Sequence, residues 1–217
     1  GVQTCALPIS PIIALSTGTN NVYPEMIEGT VAGMAAGVIA SKKFDINKIC
    51  FKDKMIEIYK DERLIDIALI DVVISKNLYV GSKAIWNVDD ILKIIVSKAH
   101  PASIGFSAIV GCRIIVSKND DFGAIIDLTN NKNKIIAPVA AGIITTIHMG
   151  DVDIINLNNQ YEFTSKEAGT IALDGEREIT FKSGERFTFK ITRNGPLRVD
   201  IINTLELAQK SGFFKID

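Results

Sequence analysis

Residues 169–192 read Gly-Thr-Ile-Ala-Leu-Asp-Gly-Glu-Arg-Glu-Ile-Thr-Phe-Lys-Ser-Gly-Glu-Arg-Phe-Thr-Phe-Lys-Ile-Thr. Three short β-forming runs, Thr170–Leu173, Glu178–Phe181 and Arg186–Thr192, are separated by Asp174-Gly175 and Ser183-Gly184. Such dipeptides supply the positive φ angles that a tight hairpin needs. Working outward, Tyr161–Thr164 precedes the stretch, and Leu197–Ile202 follows Asn194-Gly195. Short strands at this spacing predict a sandwich-like β domain. The segments Lys48–Ile58, Ile65–Ser75, Ile104–Val116, Gly123–Leu128 and Lys134–Val139 continue the pattern upstream. Each is short and rich in isoleucine and valine, and Lys118–Asp121 and Asn130–Asn133 read as turns. Val88–Ser97 predicts a helix with Asn87 as its cap. Thr204–Gly212 predicts a closing helix, capped by Thr204 and stopped by Gly212.

The N-terminal part has another texture. Ser10–Leu15 (SPIIAL) has the pattern of a buried parallel strand, Ser16–Asn21 (STGTNN) is a small polar loop, and Pro24–Ala40 predicts a helix. Strand, loop and helix make half of a βαβ unit. Gly29, Gly33 and Gly37 recur every four residues, a ridge predicted to let another element approach the helix backbone. The first nine residues, GVQTCALPI, match the translation of a sequencing-adapter oligonucleotide. They are expected to be foreign to the gene, Cys5 with them. One strand and one helix cannot cover both faces of a parallel sheet, so an upstream segment is expected.

Composition limits the function. Of 217 residues, 47% are hydrophobic and 23% charged, which excludes global disorder. The 24 basic and 25 acidic side chains give a net charge of -1, which argues against an electrostatic nucleic-acid binder. No apolar run reaches the roughly 20 residues of a membrane span. Three widely spaced cysteines form neither a disulfide framework nor a zinc pattern, and the expected compartment is the cytoplasm.

The loop Ser16–Asn21 carries the clearest chemistry. A loop leaving the carboxyl end of a parallel strand is where open α/β sheets bind ligands. Gly18 lets the backbone approach a phosphate, and Thr17, Thr19, Asn20 and Asn21 supply polar groups beside a helix N-terminus. It is neither a Walker loop nor a dinucleotide fingerprint. His100 and His148 stand apart and make no metal site. Cys50, Cys112 and Trp86 read as packing residues. Lys42, Lys43, Arg113 and Arg177 could meet phosphate, but the sequence does not show whether they converge.

Ser16–Asn21, followed by Val22-Tyr23-Pro24-Glu25 and the glycine-stepped helix, resembles the ATP-NAD kinase-like family in its acetoin catabolism protein X branch. Ala172–Glu178 is similar to the late Asp-Gly hairpin of these kinases. The resemblance implies an α+β fold: the remnant of an N-terminal α/β nucleotide-binding domain (10–43), a β-rich, sandwich-like C-terminal domain (44–203) and a closing helix (204–217). It implies nucleotides held between the domains, with ATP and magnesium on the donor side and NAD or a related small molecule as acceptor. It also implies a homo-oligomer, with no nucleic-acid or membrane partner.

The family's Gly-Gly-Asp-Gly-Thr loop, which carries the expected catalytic aspartate, does not occur in this sequence. The resemblance places it shortly before Ser10, so the chain alone is expected to be inactive. Asp71 in Ile70–Ile74 matches a carboxylate that contacts ribose hydroxyls, with Ile70 in place of the family's asparagine. Ser103, Gly105, Phe106 and Ser107 match a pocket-lining segment whose threonine is absent. Pro138–Gly142 lacks the second proline and the histidine of another. These losses motivate an alternative, a non-catalytic nucleotide-binding regulator of acetoin or related carbon metabolism. A lipid kinase, suggested by the Gly-Thr-x-Asn loop alone, ranks lower because no amphipathic basic segment is present.

Overall fold

The structure, a computed structural model, describes residues 10–15, 26–76 and 88–216. Along the chain come α1 (Gly29–Ala40), α2 (Ile46–Ile49), β1 (Cys50–Lys52), β2 (Met55–Lys60), β3 (Arg63–Ala68) and β4 (Asp71–Ser75). A short 3-10 turn at Val88–Asp90 leads into β5 (Ile91–Val96), then α3 (Phe106–Gly111), β6 (Phe122–Asp127), β7 (Asn133–Ala140) and β8 (Ile143–Met149). There follow β9 (Val152–Asn156), β10 (Gln160–Thr164), β11 (Gly169–Leu173), β12 (Arg177–Phe181), β13 (Arg186–Thr192), β14 (Leu197–Val199) and α4 (Ile201–Lys210). The fold is mixed, mostly β with few helices. No helix among the described residues is long and apolar enough to cross a membrane.

The chain divides into two units, Lys54–Arg193 and the residues on either side of that span. The larger unit is layered. A four-stranded sheet in the order β10-β13-β2-β3 and a six-stranded sheet in the order β12-β11-β4-β5-β6-β9 are antiparallel throughout. Ile56, Ile58, Phe187 and Phe189 from the first pack against Val72, Ile74, Ile95 and Ile171 from the second. Phe181 meets Phe163 and Phe187 edge-on, with centroids 5.9 Å apart in each pair. The six-stranded sheet is covered on its other face too. There Val73, Ile94, Val96 and Ala124 meet Ile109 and Val110 of α3 and Ala137 and Ile147 of the β7–β8 hairpin.

Burial on both faces explains the corrections to the sequence reading. The predicted helix at Val88–Ser97 is a 3-10 turn followed by strand β5. A strand apolar on both faces loses its alternation and is hard to tell from a buried helix by pattern. The β-branched run Ile91–Val96 settles as the partner of β4 and β6. Conversely, the strand expected within Ile104–Val116 is not there: the segment forms helix α3, whose Ala108, Ile109 and Val110 are all buried, and one isolated bridge from Val116 to Ala99. Lys48–Ile58 breaks at Asp53–Lys54 into the end of α2 and strands β1 and β2, and Ile65–Ser75 turns at Leu69–Ile70 into two strands.

In the other unit, helix α1 begins at Gly29, later than predicted. The Glu28 carboxylate caps it, accepting from the Thr30 amide at 2.7 Å and the Val31 amide at 3.3 Å. The buried face of α1 is Ala32, Ala35 and Val38. Gly29, Gly33 and Gly37 are exposed, and a methyl group added to any of them would meet no other element among the described residues within 4 Å, so no close approach to this ridge is found among them. Ser10–Leu15 contributes only one parallel bridge, Ile12 to Arg198 beside β14. Helix α4 is capped by Asp200, which accepts from the Asn203 amide at 3.0 Å, three to four residues before the predicted start. Thr204 is buried, and its hydroxyl donates to the Ile49 carbonyl at 3.4 Å.

Arg198 and Asp53 form a buried ion pair at 2.7 Å, with the guanidinium 4.7 Å from the Phe51 ring. Asp53 also donates its amide to the Pro196 carbonyl and accepts from the Gly195 amide at its own carbonyl, each at 3.1 Å. Removing one partner of a buried pair leaves an uncompensated charge, at a cost of about 3–5 kcal/mol. Asp53→Ala is therefore expected to lower the stability measured by urea unfolding by about 3 kcal/mol or more; a loss below about 1 kcal/mol would contradict a structural role for the pair.

Candidate functional site

The site is built where two turns interlock. The β11–β12 hairpin closes on Asp174 and Gly175, with φ of 50° and 69°, the left-handed pair that the Asp-Gly motif predicts. Asp174 does more than turn the chain. Its Oδ2 accepts from the Leu69 amide at 2.7 Å, and its Oδ1 accepts from the Ile70 amide at 2.7 Å and the Asp71 amide at 3.2 Å. In return the Asp174 amide donates to the Asp71 carbonyl at 3.0 Å. The carbonyls of the same turn are held from β5's end: Ser97 donates its amide to Ile70 at 2.8 Å and its hydroxyl to Leu69 at 2.6 Å.

Asp71 therefore sits on a backbone saturated with hydrogen bonds, while its own carboxyl has no hydrogen-bond partner among the described residues. Strand alternation puts Asp71 on the same side as Val73, the side on which α3 packs. Burial, and next the neighbouring Asp174 charge, push the Asp71 carboxyl up to about 7. The Asp174 carboxyl is also raised by burial, against the pull of its three amide donors and of Arg177. Arg177 bonds to the Asp66 carboxylate and, at 2.6 Å, to the Ile67 carbonyl, tying the hairpin to β3.

The segment around Ser103–Ser107 lies at the entrance to α3. Gly105, with φ of 92°, starts the helix and donates to the Pro138 carbonyl of β7 at 3.0 Å. A side chain is strained at that φ, so glycine is required. The Ser103 amide donates to the His100 carbonyl at 3.0 Å, and His100 Nδ1 accepts from the Ala102 amide at 3.0 Å, which gives His100 a loop-closing role. Gly111 brings α3 against this loop: a Cβ there would lie 2.3 Å from the His100 backbone. Phe106 is partly buried and packs into the cluster between the six-stranded sheet and α3. Ser107 is buried.

The structure thus places Asp71 and helix α3, which the Ser103–Ser107 segment enters, on one side of one sheet. Thr17, Gly18, Thr19, Asn20, Asn21 and Trp86 lie outside the described residues. Among the described residues no group of three carboxylate, histidine or cysteine side chains could hold a metal ion. Burial raises the Cys50 thiol. Sequence reasoning did not find Ser97, whose only signal is a serine ending an apolar strand. It placed Asp174 in a hairpin without finding its grip on the neighbouring turn.

Asp71 and Asp174 thus stand together, both half-buried, at one end of the six-stranded sheet of a mostly β protein. The model of the family "Acetoin catabolism protein X C-terminal domain" matches residues 54–194. The chain belongs to that family, as the resemblance at Ser16–Ala40 and Gly169–Glu178 implied. Over 198 residues it is 32% identical to Acetoin catabolism protein X of Cupriavidus necator, a match covering 88% of this chain and 55% of that protein. The chain thus spans about half the length of the curated relative it matches. Among solved structures, yeast NADH kinase complexed with NADH matches with a TM-score of 0.40 and 11% identity, over 77% of this chain and 50% of that one.

The Asp71 environment gives a signed pH dependence. A carboxyl that titrates near 7 when folded and near 3.8 by itself binds more protons folded than unfolded between those values. Its contribution to stability is full below about 4 and is lost as pH rises through about 7. Asp71→Asn should flatten the fall in urea midpoint between pH 4 and 7 and raise the midpoint at pH 8. An unchanged pH profile would contradict the assignment.

Proposed function

We propose that this chain supplies the acceptor-binding part of a nucleotide-dependent phosphotransferase, with Asp71 receiving the hydroxyls of a nucleotide ribose. The observation that carries the reading is the contrast at Asp71. Its backbone is locked from both sides, and its carboxyl has no hydrogen-bond partner among the described residues. Asp71 is half-buried, so a ligand can reach its carboxyl and supply the hydrogen bonds that the described residues do not. An ionised carboxylate accepts two hydroxyl hydrogen bonds at once, which suits the vicinal diol of NAD or ATP. The resemblance of Ile70–Ile74 to the family's ribose-contacting strand supports the same reading.

In this account Asp71 orients the acceptor, Ser97 and Asp174 keep Asp71 in place, and the Ser103–Ser107 segment walls the same side of the sheet. Phosphoryl transfer depends mainly on positioning and electrostatic stabilisation. ATP, bound with magnesium, would supply the phosphoryl group. The described residues offer no cluster to hold the metal. A second reading, nucleotide binding without turnover, is favoured by Ile70, which replaces an asparagine with a side chain that cannot hydrogen-bond.

Calorimetric titration of the 217-residue chain with NAD and with ATP tests the proposal. Binding is expected to tighten from pH 6 to pH 8 as Asp71 ionises. Asp71→Asn should weaken it about tenfold, the loss of one charge-assisted hydrogen bond of about 1.5 kcal/mol. Binding that ignores Asp71→Asn would sink the ribose assignment. The chain by itself is expected to transfer no phosphoryl group to NAD, and measurable NADP formation would contradict that. A longer family protein that binds both nucleotides but turns over no acceptor would select the second reading.

A further inference from the structure

The charges brought to Asp71 are of one sign. From the β11–β12 hairpin, Asp174 accepts from the Asp71 amide and sets its own negative charge beside the Asp71 carboxyl. The cations on the neighbouring elements have other partners. Arg177 bonds to the Asp66 carboxylate and the Ile67 carbonyl. Lys93, the one charged side chain of β5, pairs with Asp127 at 2.5 Å. It lies 5.9 Å from the Tyr161 ring, on the face of the sheet that the four-stranded sheet covers. Lys98, just past β5, stands near Lys54, which donates to the Phe122 carbonyl at 2.6 Å. Strand β11 and helix α3 carry no charged side chain. The described elements packed on β4 thus bring one further carboxylate to Asp71 and no cation. A ribose diol suits that field, because it offers hydroxyl hydrogens to an ionised carboxyl. A phosphate on either hydroxyl removes a donor and adds about two negative charges, which meet like charge.

We propose that Asp71 and Asp174 make this site select against nucleotides phosphorylated on the ribose hydroxyls. This deepens the ribose reading of Asp71 and rests on it. Selection of this kind comes from repulsion built against the wrong ligand as well as from contacts to the right one. The site holds a nucleotide with a free diol and rejects the phosphate ester of that diol. In a phosphotransferase, a product phosphorylated there leaves the place that held its precursor. In a regulator, the same field reports the unphosphorylated nucleotide alone.

Calorimetric titration of the 217-residue chain at pH 8 with NAD and with NADP, which carries one more phosphate on a ribose hydroxyl, tests this. NAD is expected to bind at least about tenfold more tightly. Displacement of bound NAD by adenosine 5′-, 2′- and 3′-monophosphate separates position from total charge, because the isomers carry the same phosphate. The 5′ isomer keeps both hydroxyls and should displace NAD at about tenfold lower concentration than the other two. Asp71→Asn keeps the size of the side chain, removes its charge, and should bring NADP within about threefold of NAD. NAD binding that depends on Asp71, with NADP bound as tightly, would overturn this inference and leave the ribose reading standing. A 5′ isomer no better than the other two would overturn it, as would discrimination that persists in Asp71→Asn. Absence of NAD binding, or binding that ignores Asp71→Asn, would overturn the ribose reading itself and this inference with it.

Discussion

One carboxylate organises the candidate site. Asp174 gathers the amide hydrogens of Leu69, Ile70 and Asp71, three donors that a tight, buried turn could not otherwise satisfy. The hydrogen bonds favour the charged form of Asp174, and burial opposes it. This leaves a negative charge beside Asp71. That charge, added to burial, keeps Asp71 poised near neutrality. The same contact that fixes the site's backbone therefore also tunes its acid.

The layered core makes this arrangement rigid. The six-stranded sheet is packed on both faces, by the four-stranded sheet on one and by α3 with the β7–β8 hairpin on the other. Its strands approach each other closely where glycine permits. At Gly169 a Cβ would lie 2.2 Å from the Ser75 carbonyl, and at Gly123 one would lie 2.4 Å from the Val96 carbonyl. Those approaches bring β11 onto β4 and β6 onto β5, the strands whose ends carry Asp71, Ser97 and Asp174. Dense packing of this kind holds a side chain in place without needing a ligand to order it.

The β-rich character was legible from residues 151–202, because hairpin dipeptides impose local geometry that distant contacts do not override. Asp174-Gly175 turns as its chemistry requires. The double-sided sheet was less legible: β5 lost its alternation and read as a helix, and α3 hid within an isoleucine- and valine-rich run. Of the site, Asp71 could be named from its family match. The grip of Asp174 and the support of Ser97 could not, since both join positions 27 or more apart in the sequence and only the fold brings them together.

The central claim is that a locked backbone presents the Asp71 carboxyl, unpaired and near neutral, to a nucleotide. Carbon-13 NMR titration of the aspartate side-chain carboxyls, with and without NAD, reads that claim at the atom concerned. The account predicts that the Asp71 carboxyl titrates near 7 in the free chain and shifts to lower pH when NAD is bound, because hydroxyl donors favour the ionised form. An Asp71 carboxyl that titrates near the ordinary value of 3.8, or one that NAD leaves unmoved, would contradict it.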